Sequence, residues 1–106
     1  DIFVSVAGGI RIVEPGVDLG LLLAIASSFC SKALDPDMII IGEVGLSGEV
    51  RSVSRLESRI KEAAHLGFRR GIIPKRSLKG LSQELFSKID LHGVEFVEEA
   101  LDALIR

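Results

Sequence analysis

A chain of 106 residues is long enough for one hydrophobic core and too short for two, so a single domain spanning residues 1–106 is expected. Hydrophobic residues make up 47% of it, yet only five residues are aromatic, all Phe, so the core must come from Val, Ile, Leu and Ala, which suits layered α/β packing around a mixed sheet. A net charge of -2 gives no global attraction to nucleic acid, the lone Cys30 excludes an internal disulfide or a cysteine-based zinc cluster, and no apolar run reaches membrane-spanning length. The chain opens on Asp1 rather than Met and carries no signal-peptide pattern, and is read as a domain excised from a longer protein.

Taken in order, Ile2, Val4 and Val6 alternate with Phe3 and Ser5, and Ile10 to Glu14 is a second extended run after Gly8-Gly9. A hairpin is expected there. Pro15-Gly16 breaks the strand, and Asp18 stands where an N-cap or first-turn acid belongs. The helix after it has a wide apolar face of Leu19, Leu22, Leu23, Ala26, Phe29 and Cys30, with so little polarity opposite that cover on more than one side is expected. Cys30 in that run reads as a packing residue. Met38 to Ile41 is an unbroken apolar run, the pattern of a central strand buried on both faces.

The stretch from Gly42 to Phe68 organises the rest. Its glycines at 42, 45 and 48 are spaced by threes between extended pieces, which favours hairpin and bulge geometry over a nucleotide-binding loop. Ser54 and Glu57 have the spacing of a capping box, Leu56, Ile60, Ala63 and Ala64 form one apolar stripe, and Gly67 supplies the helix stop. Arg70 to Pro74 follows as a short buried strand, compatible with a right-handed strand, helix, strand crossover. A weaker third helix uses Leu78, Leu81 and Leu85. Val94 to Val97 is the last expected strand, and Val97, Ala100, Leu101 and Leu104 give the closing helix its buried stripe.

No GxxxxGK(S/T) loop and no GxSxG elbow is present. His65 and His92 have no carboxylate or thiol at ligand spacing, so each reads as a surface or packing residue and no metal site is expected. Ser54 with Lys61 is arithmetically possible as a serine activated by lysine, but the cap already accounts for Ser54. Charge is more informative. Between Phe68 and Gln83 stand Arg69, Arg70, Lys75, Arg76 and Lys79 with no acid, and from Glu84 onward Asp90, Glu95, Glu98, Glu99 and Asp102 reverse the balance over Lys88 and Arg106. The strip could hold phosphate, or meet the acidic face of a neighbouring copy, or be ordinary solvated charge.

The run GEVGLSGEVRSVSRLESRIKEAAHLGFRRGIIPK, with the earlier hairpin and the helix through LLLAIASS, resembles the carboxy-terminal Lon-protease-like domain of the RadA/Sms DNA repair proteins. The resemblance covers nearly the whole chain, weakening after about residue 76. It implies a Lon proteolytic-domain-like fold of the ribosomal protein S5 domain 2-like class. It also implies a full-length protein with a zinc-finger segment and a RecA-like ATPase ahead of this domain, acting as a hexameric, ATP-driven DNA motor in recombination. ATP and zinc would belong to those other segments, with no cofactor in this one. The partners implied are copies of the same chain, forming a hexamer, and single-stranded or branched DNA, with no membrane. The setting would be the cytoplasm in a bacterium, or a chloroplast or mitochondrion in a eukaryote.

Lon enzymes place a serine in DGPSAG and a lysine in GGLKEK. Here Gly16 falls at the serine position of Val13-Glu14-Pro15-Gly16-Val17-Asp18, and Glu57 falls at the lysine position of Ser54-Arg55-Leu56-Glu57-Ser58-Arg59. Glycine has no oxygen to attack with and a carboxylate is not an amine base, so the resemblance implies a domain that is not itself an enzyme. What it leaves is a scaffold for ring assembly with sequence-independent DNA contact. Arg69, Arg70, Lys75, Arg76 and Lys79, and the smaller group Arg51, Arg55 and Arg59, are the candidates for a DNA-facing or subunit-facing surface. A serine–lysine peptidase with an unrecognised dyad and a pure protein-interaction module remain as alternatives.

Overall fold

A computed structural model describes residues 5–7, 10–12, 17–30 and 35–105. Strands β1 (Ser5–Ala7) and β2 (Ile10–Ile12) pair antiparallel, Ser5 opposite Ile12, as the hairpin pattern predicts. Gly8, Gly9 and the residues of Val13 to Gly16 lie outside the described residues, and with them the proposed turn and the degenerate serine position. Strand β3 (Val17–Asp18) leads into helix α1 (Leu19–Cys30). The Asp18 carboxylate accepts the N–H of Leu21 at 2.9 Å, so it caps α1 as expected.

Strands β4 (Met38–Ile40), β5 (Glu43–Val44) and β6 (Val50–Arg51) precede helix α2 (Leu56–His65), and strand β7 (Arg70–Pro74) follows it. A 3-10 helix (Lys75–Gly80), helix α3 (Gln83–Phe86), strand β8 (Asp90–Val94) and helix α4 (Val97–Ile105) complete the order. Strands β3, β5 and β6 form an antiparallel sheet, and β4, β7 and β8 form a parallel one with β7 in the middle. The N–H of Val50 donates to the Glu95 carbonyl at 2.8 Å and that of Val97 to the Gly48 carbonyl at 2.9 Å, tying the antiparallel sheet to the segment after β8.

Side-chain alternation along β7 divides the interior. Ile72 packs with Leu19, Leu22 and Leu23 of α1, Val44, Val50, and Val97 and Ala100 of α4. Ile73, one residue on, packs with Leu56 and Ile60 of α2, and with Leu85 and Ile89. Helices therefore cover the parallel sheet on both faces, which is why its middle strand is apolar and buried from Gly71 to Pro74, past the exposed Arg70 at its start.

Several expectations give way to tertiary context. Met38 to Ile41 is only half-buried, and β4 flanks β7 rather than lying at the centre, because an apolar run cannot say which buried strand is the middle one. Helix α1 is not covered all round: Leu21 is 58% and Ile25 41% exposed. Ser54 does not cap α2. Arg55 precedes the helix with φ 58 and ψ 35, in the left-handed region, and no side-chain bond caps it. That turn carries Ser54 away from the capping position. The expected third helix is two short pieces, because the chain reopens to extended geometry at Leu81 and Ser82. The last strand ends at Val94, and the expected 94–97 segment instead makes the turn into α4. Gly67, at φ 103, ends α2 as predicted. Gly93 fits because a Cβ there would come within 2.9 Å of the Lys75 Cα, so the 3-10 helix rests directly on β8.

Half of the capping box missing from α2 is found on α4. The Glu99 carboxylate accepts the N–H of Phe96 at 2.9 Å and also that of Glu95. Those bonds, Phe96 first and then Glu95, hold its carboxyl below the ordinary value of 4.5. A carboxyl whose folded pKa is depressed stabilises the fold fully above the unfolded value, and that contribution disappears as pH falls through the folded one. Glu99→Gln is therefore expected to cost about 0.5 kcal/mol at pH 7 in urea unfolding, with the gap to the parent closing as pH drops below 4.5. Ile73→Ala, which empties a fully buried site, is expected to cost about 3 kcal/mol in the same titration.

Candidate nucleic-acid interface

Strand β7 splits the basic strip. Arg69 and Arg70 stand at its start, whereas Lys75, Arg76 and Lys79 follow Pro74 on the 3-10 helix. At about 3.3 Å per residue, the strand sets the two groups roughly 16 Å apart. One run in the sequence is thus two clusters at opposite ends of the parallel sheet.

At the starting end the strand register gathers acids as well as bases. Met38, Arg70 and Asp90 lie side by side on β4, β7 and β8. The Arg70 guanidinium pairs with the Asp35 carboxylate. The Asp37 carbonyl accepts the N–H of Arg69 at 2.9 Å and of Arg70 at 3.2 Å. Asp37, Arg69, Arg70 and Asp90 line an open cleft of about 380 Å³. Arg70 is thereby committed to the protein, while Arg69 is exposed and has no ion-pair partner among the described residues.

At the far end the balance differs. Lys75, Arg76 and Lys79 are exposed and have no ion-pair partner among the described residues, although Lys75 lies near enough to Glu99 to help lower its pKa. The Ser77 hydroxyl donates to that of Ser52 at 3.1 Å, tying the 3-10 helix to the segment leaving β6. Ser52, Leu56, Glu57, Arg76 and Leu81 line a second open cleft, of about 450 Å³. The fold so brings the first turn of α2, where Arg55 is exposed, against the helix that carries Arg76. Arg59 is exposed one turn on. Arg51 is engaged within the protein: its Nε donates to the Glu49 carboxylate at 3.3 Å. That carboxylate also accepts the Ser47 N–H at 3.1 Å and folds over Gly45, where a Cβ would overlap it.

Of the two degenerate dyad positions only Glu57 can be placed. A hydrogen bond from the Ser82 side chain, and after it the Lys61 ammonium 3.4 Å away, hold the Glu57 carboxyl below its ordinary range. Lys61 is thus paired with Glu57, its neighbour one turn earlier. The meeting of Arg70 with Asp35, Asp37 and Asp90 is not visible in the sequence because these acids are far from it in the chain; only the parallel register brings them together.

The family model described as subunit ChlI of Mg-chelatase matches residues 2–77. The DNA repair protein RadA of Halalkalibacterium halodurans is 48% identical over 105 residues, covering 99% of this chain and 22% of that protein. RadA of Bacillus subtilis is 50% identical over 101 residues, 95% of this chain and 22% of the relative. RadA of Chlamydia pneumoniae is 44% identical over 105 residues, 99% of this chain and 23% of the relative. The chain spans about a fifth of the length of these curated relatives, all of them bacterial. No helix among the described residues is long and apolar enough to cross a membrane.

These matches correct the expectation that the chain is not an enzyme. The matched family model is that of a subunit of an enzyme, Mg-chelatase, and a reading of residues in about a fifth of a protein's length does not speak for that protein's activity.

The division between committed and free side chains has a direct test in stability. Arg76→Gln and Lys79→Gln are each expected to change the unfolding free energy by less than about 0.5 kcal/mol. Arg70→Gln, which breaks an exposed ion pair, is expected to cost up to about 1 kcal/mol. Urea titrations measure all three, and a larger loss at Arg76 or Lys79 would show that those side chains serve the fold.

Proposed function

The chain belongs to the RadA family of DNA repair proteins, matching their carboxy-terminal region, and from that premise we propose that it is the assembly and DNA-contacting module of such a protein. The observation that carries the reading is the cluster of Lys75, Arg76 and Lys79. These cations are exposed, lie within five residues of one another and are left without ion-pair partners among the described residues. Such a cluster suits phosphate, which supplies affinity without reading bases. Arg55, just before α2, and Arg59, on it, are exposed cations that would extend it, and Arg69 is a separate contact at the other end of the sheet.

Assembly has its own support. Leu21 and Ile25 leave an apolar stripe of α1 open, and a closed ring of six copies, with the fold of a Lon proteolytic domain, would give each copy a neighbour to cover such surfaces. In this proposal the longer protein works in the cytoplasm on single-stranded or branched DNA, and ATP and zinc are held by its other segments rather than by this one.

Binding of the full-length protein to a single-stranded oligonucleotide, followed across a salt series, tests the DNA arm. Replacing Lys75, Arg76 and Lys79 together by Gln is expected to flatten the plot of log K against log salt by about 0.7 for each phosphate that the variant no longer neutralises. An unchanged slope would remove the cluster from the DNA surface. Sedimentation of the same protein tests the other arm: Leu21→Lys with Ile25→Lys is expected to shift it toward smaller species, and an unaltered distribution would count against the α1 stripe as an assembly contact.

A further inference from the structure

The surface beside Arg69 holds an arrangement that neither the charge pattern nor the family match points to. Phe86 ends α3 and is 38% exposed, while its neighbours Leu85 and Ile89 are 1% and 2% exposed. The ring is therefore presented outward from a turn anchored on both sides. That turn is held further by the N–H of Lys88 donating to the Leu85 carbonyl at 3.0 Å and by the Ser87 hydroxyl donating to the Glu84 carbonyl at 2.7 Å. Phe86, Arg69, Lys88 and Asp90 line an open cleft of about 290 Å³. Its two cations outnumber its one carboxylate. Arg69 has no ion-pair partner among the described residues, and Lys88 reaches the exposed Glu84 only at 4.0 Å, a pair weak enough to give way.

We infer that Phe86, Arg69 and Lys88 form a stacking subsite for one base of single-stranded nucleic acid, with the flanking phosphates on the two cations. An aromatic face set among cations is the combination by which unpaired strands are held: the ring takes any base, and the cations follow the backbone. A base inside a duplex has both faces covered by its neighbours, so only an unpaired base can lie on the ring. An apolar protein surface fits less well, since docking it on this single ring would desolvate Arg69, Lys88 and Asp90 together. The inference rests on the DNA-contacting reading above and deepens it by naming the strand form and the contact.

The test uses the full-length protein, an oligothymidylate, and an abasic oligomer of the same length that has the phosphates without the bases. Phe86→Leu is expected to weaken oligothymidylate binding about tenfold, within the range for loss of one stacked base, and to leave abasic binding unchanged. Phe86→Trp is expected to keep the affinity, and its fluorescence to be quenched by oligothymidylate and not by the abasic oligomer. This chain itself has no Trp, so the added signal is read as the difference from the parent. Equal effects of Phe86→Leu on both oligomers, no effect on either, or equal quenching by both would overturn the stacking subsite while leaving DNA contact through the other cations intact. Failure of the parent protein to bind either oligomer would overturn the DNA-contacting reading itself, and the subsite with it.

Discussion

Adjacent isoleucines in β7 set the architecture. Ile72 and Ile73 point to opposite faces of the parallel sheet, and each is buried in its own cluster, one built with α1 and α4 and the other with α2 and α3. A strand apolar on both faces must be covered on both, so the helices have to divide between them. That division places the first turn of α2 against the 3-10 helix, and so sets Leu56 and Glu57 in one cleft with Arg76. The surface chemistry follows from the core rather than from charge patterning along the chain.

The same strand shows how a run of charge in sequence misleads. Arg69 to Lys79 reads as one basic strip, yet the four extended residues from Gly71 to Pro74 separate its halves. The half at the start of β7 arrives among Asp35, Asp37 and Asp90, which neutralise part of it. The half at the end meets the Ser52 and Ser77 hydroxyls, the Glu57 carboxylate already paired with Lys61, and the Glu99 carboxylate already bonded to the N–H groups at the start of α4. Charges of one sign therefore differ in availability, and a guanidinium bound to a carboxylate has less to offer a phosphate.

Local signals carried well where one residue decides the geometry. Asp18 as the cap of α1, Gly67 as the end of α2, the amphipathic stripe of Leu56, Ile60 and Ala63, and the β7 strand itself were all legible. What failed depended on partners distant in sequence. The capping spacing of Ser54 and Glu57 was real, but Arg55 takes a left-handed turn and Glu57 answers instead to Ser82 and Lys61. The half-box at Phe96 and Glu99 was hidden because Phe at the cap position contributes no side-chain oxygen, and only the reciprocal bond from Glu99 remains. Of the site, the identity of the bases could be read from the chain, while the long-range pairing could not: the Arg70–Asp35 contact joins residues 35 apart and exists only once β4 and β7 are in register.

Strand length in β7 therefore couples the interior to the exterior. Inserting one residue between Arg70 and Pro74 would exchange the two isoleucine faces and drive a polar or mismatched side chain inward. Inserting two would restore the faces but push the cationic ends farther apart by about 7 Å. A parity rule thus governs drift in this segment: odd changes disrupt the interior, and even ones alter the spacing at which the molecule presents its positive ends.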